Sequence, residues 1–567
     1  MKLLEVDGLI TELASGEGWV RAVDGVSFSV APGETFCLVG ESGSGKSVTS
    51  LSIMGLLPAG RFRHPAGEIR LHSADAAAGG SVDLLRADGA TMTAMRGERM
   101  AMIFQEPMTS LNPVLTIGDQ LDEVLRIHQP QMDREERAAR VLAVLNEVQI
   151  PRPAERVNDY PHRLSGGQRQ RVMIAMALIC EPSLLIADEP TTALDVTVQA
   201  EILKLMRELQ ASRGMGMLFI THDFGVVAQI ADQVGVMRRG ELVEQGPASE
   251  VLRKPQHGYT QGLIAALPEH LSRERLLEGG GEGGKASAPP AVAPSPLVTV
   301  RDLAVHFPIH RGLLRRVVDH VRAVDGVSLD VFPGEVVALV GESGCGKTTL
   351  GRALLRLQDA TAGTITLEGR DITGLSRREL RPLRRCMQVV FQDPGSSLNP
   401  RLPILGTLLE PMRVHGIGAD DAERRRRAEL LLERVEMPAD SLWRYPHEFS
   451  GGQRQRLAIA RALVLEPRFI LCDEITSALD VSVQAGILHL LRSLVDDDRL
   501  GMLFITHNMG VVEFLSDRMA VMHEGRIIEA GATEQVLHSP REVYTRTLLA
   551  AVPRLAGSLL DGAGDRL

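Results

Sequence analysis

A chain of 567 residues has room for two or more domains with sizeable cores. With 62 Lys and Arg against 72 Asp and Glu, its net charge of −10 argues against a dedicated nucleic-acid binder, which needs a basic face for phosphate contacts. Hydrophobic residues make up 44% and charged ones 24%, an ordinary globular composition, and no run approaches the ~18–20 apolar residues of a membrane span.

The N-terminus lacks the basic-then-apolar pattern of a secretory signal, so the chain is not expected to cross a membrane by itself. Five single cysteines (Cys37, Cys180, Cys345, Cys386, Cys472), with no C-x-x-C pair, read as reduced and mostly buried thiols of a cytoplasmic protein. The first strong element is an apolar strand, Phe36-Cys37-Leu38-Val39. It runs into Gly40-Glu41-Ser42-Gly43-Ser44-Gly45-Lys46-Ser47, which matches the G-x-x-x-x-G-K-[ST] phosphate loop, and a helical stretch follows. Glycines 40, 43 and 45 allow backbone N–H groups to converge on phosphate oxygens at a helix N-terminus, and Lys46 adds a point charge. The Ala/Gly/Asp-rich residues from about Ala74 to Ala90 read as a surface loop without an assigned role. Phe104-Gln105 follows another apolar run. Leu164-Ser165-Gly166-Gly167-Gln168 then opens an apolar helix; its serine is either an ordinary N-cap or part of a second anion site. The strand Leu184-Leu185-Ile186-Ala187 ends in Asp188-Glu189, and Thr221-His222 follows one more apolar run.

A Gly-rich and then Pro-rich stretch, Glu278 to Pro296, reads as a tether. Beyond it the whole series repeats. Val23-Asp24-Gly25-Val26-Ser27 returns as Val324-Asp325-Gly326-Val327-Ser328, and the second phosphate loop is Gly341-Glu342-Ser343-Gly344-Cys345-Gly346-Lys347-Thr348. Phe391-Gln392, Phe449-Ser450-Gly451-Gly452-Gln453, Asp473-Glu474 and Thr506-His507 follow in the same order. Repeats this long are whole domains. The expected division is 1–270, a linker at 271–296, and 297–567. Cys345, just before a helix N-terminus, reads either as a thiol of lowered pKa or as a small filler equivalent to Ser44.

This set, with Ala193-Leu194-Asp195 and Ala478-Leu479-Asp480, resembles the nucleotide-binding domains of ABC ATPases over nearly the whole chain, twice. The resemblance implies an α/β fold: two tandem P-loop domains, each with a RecA-like core, an antiparallel β subdomain and a helical subdomain near residues 106–164 and 393–449. It implies two ATP molecules sandwiched head to tail, with Lys46 and Ser47 facing Ser450 and Gly452, and Lys347 and Thr348 facing Ser165 and Gly167. Gly40, Gly43, Gly45, Gly341, Gly344 and Gly346 complete the two nucleotide cradles. Mg²⁺ would be held by Ser47 with Asp188 and by Thr348 with Asp473. Glu189 and Glu474 would be general bases, His222 and His507 would touch the γ-phosphate, and Gln105 and Gln392 would link each site to a membrane partner.

A finer resemblance, to dipeptide and oligopeptide importers, rests on Phe104-Gln105-Glu106-Pro107-Met108-Thr109-Ser110-Leu111-Asn112-Pro113 and Phe391-Gln392-Asp393-Pro394-Gly395-Ser396-Ser397-Leu398-Asn399-Pro400. It rests also on the domain ends His257-Gly258-Tyr259-Thr260 and Val543-Tyr544-Thr545. It implies an ATPase on the cytoplasmic face of the inner membrane, working with two integral-membrane permease subunits and an extracytoplasmic solute-binding protein. The cargo would be a peptide, glutathione, a nickel chelate or an opine. In this group the two ATPases are often separate chains, and many subunits of the first kind carry a cysteine-rich tail that can hold an iron–sulfur cluster. Here no cysteine lies between Cys180 and Cys345, so none is expected. The adenine-stacking aromatic maps to Phe307 in the second copy but to Leu13 in the first, where Trp19 either substitutes or simply packs. Two rivals are disfavoured. A ribosomal tandem ATPase usually has a charged helical linker, and a DNA-repair ATPase usually has zinc cysteines or a coiled coil.

Overall fold

The structure is a computed structural model that describes residues 2–16, 18–72, 80–105, 110–191, 194–271, 295–311, 316–477 and 479–553. Most of the tether expected between the copies, most of the Ala/Gly/Asp insertion, Glu106–Thr109, Ala193 and Ala478 lie outside these residues. The chain forms two compact units that divide between Ile264 and Ala265, with Pro553 grouped with the first. Residues 265–271 thus belong with the second unit, where Leu271 packs against a core cluster and Pro268 lies against Gly510.

In the first unit, strands β1 (Leu4–Ser15), β2 (Gly18–Val30), β4 (Phe62–His72) and β5 (Ser81–Asp83) form an antiparallel sheet in the order β2-β1-β4-β5. Strands β3 (Thr35–Val39), β6 (Met100–Ile103), β7 (Leu184–Asp188), β8 (Gly216–Thr221), β9 (Gln233–Arg238) and β10 (Glu241–Pro247) form the other sheet, ordered β10-β9-β3-β8-β7-β6. Only β10 runs antiparallel to its neighbour there. Every residue of β3, β7 and β8 is buried, which is why these strands read as unbroken apolar runs: a parallel sheet is covered on both faces. The second unit repeats the plan with β11 (Val298–Arg311), β12 (Arg316–Val331), β13 (Val336–Val340), β14 (Ala362–Leu367), β15 (Arg370–Asp371), β16 (Met387–Val390), β17 (Phe469–Asp473), β18 (Gly501–Ile505), β19 (Arg518–His523) and β20 (Arg526–Ala532). Its sheets are ordered β12-β11-β14-β15 and β16-β17-β18-β13-β19-β20.

The helices that matter for the site are α1 (Lys46–Ile53), α2 (Ile117–His128), α3 (Arg134–Glu147), α4 (Gly166–Leu178), α5 (Val196–Arg213), α6 (Phe224–Ile230) and α7 (Gly258–Ala265). Their counterparts are α8 (Lys347–Leu354), α9 (Ile404–His415), α10 (Asp421–Arg434), α11 (Gly451–Leu463), α12 (Val481–Asp498), α13 (Met509–Leu515) and α14 (Val543–Ala550). The helical subdomains fall where the sequence places them. On α2, Ile117, Leu121 and Leu125 recur at helical spacing and are buried, and Thr116 caps the first turn. On α3, Asp133 and Glu136 form a reciprocal capping box. In both units the phosphate loop, the Asp-Glu pair and the histidine leave the carboxyl ends of adjacent parallel strands. That is where open α/β sheets bind ligands.

Candidate functional site

The phosphate loops are built around glycines that admit no other side chain. Gly40 and Gly45 have φ of 148° and 103°, and a Cβ on them would fall 2.3 Å from the Met237 carbonyl oxygen and 2.6 Å from that of Ala22. Gly341 and Gly346 are tighter still, at 2.1 Å from the Met522 oxygen and 1.9 Å from the Ala323 oxygen. Gly43 and Gly344 also take positive φ, at 76° and 81°. Inside each loop the lysine is buried. Lys46 Nζ donates to the Gly40 oxygen at 2.7 Å and the Glu41 oxygen at 2.9 Å; Lys347 Nζ donates to the Gly341 and Glu342 oxygens at 2.8 Å each.

The residues that follow in the sequence come together beside each loop. Ser47 Oγ donates to Asp188 Oδ1 at 3.2 Å, and Thr348 Oγ1 to Asp473 Oδ1 at 3.1 Å. Burial raises both aspartates above the usual carboxylate range, and the hydroxyl bonds only partly offset this. The residue just beyond each strand, Glu189 or Glu474, turns into the left-handed region with φ of 46° or 49°. Its N–H is held by the neighbouring strand, at 2.9 Å to the Ile220 oxygen and 3.0 Å to the Ile505 oxygen. That turn aims the carboxylate between two side chains distant in sequence. Gln105 Nε2 donates to Glu189 Oε2 at 2.8 Å, and His222 Nδ1 lies 3.2 Å from Glu189 Oε1. In the second unit Gln392 Nε2 donates to Glu474 Oε2 at 3.0 Å, and His507 Nδ1 lies 3.7 Å from Glu474 Oε1. Burial works against a charged His222, but the hydrogen bond and charge of Glu189 outweigh it and raise the imidazole pKa. The imidazole of His507 and its charge hold Glu474 below its ordinary value despite burial.

The Ser-Gly-Gly-Gln turns show a role that the sequence reading left with the serine alone. Ser165 Oγ accepts from the Gln168 N–H at 3.3 Å while Gln168 Oε1 accepts from the Ser165 N–H at 3.2 Å. Ser450 and Gln453 do the same at 3.3 and 3.0 Å. The glutamine is the N3 member of a capping box, and the S-x-x-Q spacing is the signal that carries it. Gly167 and Gly452 are required by packing: a Cβ would fall 2.5 Å from Val198 Cγ1 and 2.2 Å from Val483 Cγ1.

Leu13 and Phe307 occupy equivalent positions on β1 and β11, paired with Val20 and Val321, and are 39% and 38% exposed. Trp19, also exposed, has the Arg63 guanidinium 4.3 Å from its ring centre. Four of the five cysteines are buried and Cys386 is half-buried; Cys345 lies 3.9 Å from Lys347 Nζ. Burial pushes the Cys37 and Cys472 thiols up.

Duplicated phosphate loops, strand-end Asp-Glu pairs and serine-capped, glycine-rich signature helices define a tandem nucleotide-hydrolysing protein. The chain belongs to the ABC transporter family, whose model matches residues 23–192 and 324–477, and it is an ABC ATPase that binds ATP and serves a membrane permease. A model of the oligopeptide/dipeptide transporter C-terminal region matches residues 243–290 and 528–563. The chain is 48% identical over 566 residues to the glutathione import ATP-binding protein GsiA of Escherichia coli (strain K12), covering 97% of this chain and 89% of that one. Identity to GsiA of Salmonella typhimurium (strain LT2) is 48% over 562 residues, with the same coverage. Among solved structures it is similar to cbiO1 from Clostridium perfringens, part of the ABC transporter complex cbiONQ, at 26% identity and a TM-score of 0.38, covering 43% of this chain and 91% of that chain. It is similar also to a dimeric ATP-binding cassette bound to ADP and Pi, at 30% identity and a TM-score of 0.38, covering 42% and 98%. Among the described residues no helix is long and apolar enough to cross a membrane.

Proposed function

We propose that the chain energises import of glutathione or related short peptides from the cytoplasmic face of the inner membrane. Its partners would be two permease subunits and an extracytoplasmic binding protein. Each half binds ATP on its phosphate loop. Ser47 with Asp188, and Thr348 with Asp473, offer one hydroxyl and one carboxylate apiece. No described group of three or more His, Cys, Asp or Glu could hold a metal alone, and so sparse a donor set suits Mg²⁺, which relies on substrate phosphates for its remaining ligands. Bound there, Mg²⁺ neutralises charge developing on the phosphates. Glu189 and Glu474 accept the proton of the attacking water. The amides of Gln105 and Gln392 hold one oxygen of each carboxylate, and His222 and His507 stand beside the other. Ser165, Gly167, Ser450 and Gly452 supply the second phosphate-contacting turns, and Phe307 supplies the ring for adenine.

The observation that carries this reading is the Gln–Glu–His bracket beside a Ser/Thr–Asp pair, present in both halves. The import reading is supported by the long relatives named for glutathione import and by the oligopeptide-type C-terminal regions. Co-reconstitution with a permease and an extracytoplasmic binding protein of the oligopeptide type tests it. ATP-dependent uptake of labelled glutathione or dipeptides into proteoliposomes is expected. ATP turnover indifferent to permease, binding protein and peptide would contradict the assignment.

A further inference from the structure

The C-terminal turn of each half reaches back to its own phosphate loop. In the first, Glu244 on β10 accepts from the N–H groups of Gln256 at 2.6 Å and His257 at 3.2 Å, and His257 Nδ1 accepts from the Tyr259 N–H at 3.1 Å. These bonds fix the entry to α7. Tyr259, one residue into that helix, donates its hydroxyl to Glu41 Oε2 at 2.9 Å, and the Arg238 guanidinium lies 4.8 Å from its ring centre. Glu41 is the second residue of the phosphate loop, and its carbonyl is the one that Lys46 Nζ meets at 2.9 Å.

The second half repeats the arrangement with different residues. Glu529 on β20 accepts from the N–H groups of Arg541 at 2.7 Å and Glu542 at 3.2 Å. Tyr544 follows, its ring centre 4.0 Å from that of His523, and its hydroxyl accepts from the Glu342 N–H at 3.3 Å. The Glu342 carbonyl accepts from Lys347 Nζ at 2.8 Å. Thr260 and Thr545, next in each chain segment, are buried.

We propose that Tyr259 and Tyr544 are positioning residues for ATP: each holds the second residue of its phosphate loop, and through that residue's carbonyl the loop lysine. The oligopeptide-type C-terminal region, which contains both tyrosines, would thereby set nucleotide affinity. The inference rests on the reading that Lys46 and Lys347 bind ATP. Burial and the Glu41 carboxylate push the Tyr259 phenol up to about 12, so its hydroxyl remains a donor at working pH. A tyrosine that merely packs would need only its ring; one that positions the loop needs its hydroxyl.

The full chain carrying Lys347→Ala, which silences the second loop, gives the test through equilibrium binding of labelled ATP. Tyr259→Phe keeps the ring and its contact with Arg238, and should weaken ATP binding about three- to tenfold with an unchanged melting temperature. Because both side chains act through one bond, Glu41→Gln added to Tyr259→Phe should cost little more than either change alone. Affinity within twofold of the parent for Tyr259→Phe, or fully additive effects of the pair, would overturn the inference. Lys46→Ala separates the two layers. If it abolishes binding while Tyr259→Phe is silent, only the tyrosine's role fails. If Lys46→Ala leaves ATP affinity intact, the phosphate-loop reading fails and takes this inference with it.

Discussion

Neighbouring glycines at the start of α4 should respond in opposite ways to the same added methyl group. A Cβ on Gly166 would meet nothing nearer than Leu194 Cδ2 at 3.9 Å, whereas one on Gly167 would lie 2.5 Å from Val198 Cγ1. Carbon atoms prefer a separation of about 3.5–4.0 Å, so Gly167→Ala must force α4 away from α5. Overpacking of this kind costs about 1–3 kcal/mol. At roughly 2–4 °C per kcal/mol for a unit of this size, the first unit's melting transition should fall by about 2–12 °C. Gly166→Ala should be neutral or mildly stabilising, since alanine exceeds glycine by up to about 1 kcal/mol within a helix and the first position realises only part of that. Val198→Ala removes the obstructing methyls, and in that background Gly167→Ala should recover most of its loss. Scanning calorimetry of the four variants reads all of this. Equal shifts for the two single glycine variants, or no rescue by Val198→Ala, would refute the steric account. The second unit offers the same contrast: a Cβ on Gly451 meets nothing within 4 Å, and one on Gly452 lies 2.2 Å from Val483 Cγ1.

Asp188 holds its charge against burial, which raises its pKa, and such a group loses stability as pH rises above its unfolded value. Asp188→Asn should therefore raise the melting temperature of the nucleotide-free protein while abolishing Mg²⁺-dependent hydrolysis; a lower melting temperature would contradict the argument. For His222 the folded pKa is raised, so its contribution is full below about pH 6.5 and is lost as pH climbs through the folded value. The first unit should lose stability across that window, Glu189→Gln should flatten the dependence, and an imidazole titrating below 6.5 by NMR would show the sign to be wrong. At adenine, a stacked ring is worth about 0.5–1.5 kcal/mol beyond burial, so the loop of Lys347 should bind ATP more tightly than that of Lys46, by no more than about tenfold. Phe307→Leu should close the gap, and a gap that persists places the asymmetry elsewhere.

The parts legible in the sequence are those whose geometry is local. A phosphate loop needs its glycines and lysine at fixed spacing, since Gly40 and Gly45 sit in conformations and spaces closed to other residues. Strands β3, β7 and β8 announce themselves because burial on both faces leaves their interiors apolar, with polar residues only at their ends. The bonds from Gln105 and His222 to Glu189 could be placed only by resemblance, because sheet order, not spacing, brings three strand ends together. The contact between Tyr259 and Glu41 joins residues whose distance in the chain hides it altogether. Trp19, which reads either as a substitute for adenine stacking or as a packing residue, has a contact of the same hidden kind: the Arg63 guanidinium against its ring comes from a different strand.

Steady-state hydrolysis and nucleotide retention in the purified full chain bear most directly on the claim that both halves are hydrolytic sites organised around Glu189 and Glu474. General-base catalysis contributes about 10²–10⁴-fold, so Glu189→Gln and Glu474→Gln should each slow turnover sharply. The double variant should fall at least about a hundredfold and retain two ATP per chain. A double variant that hydrolyses ATP at the wild-type rate would contradict the account, and a single variant that does so would show that its half is not a working site.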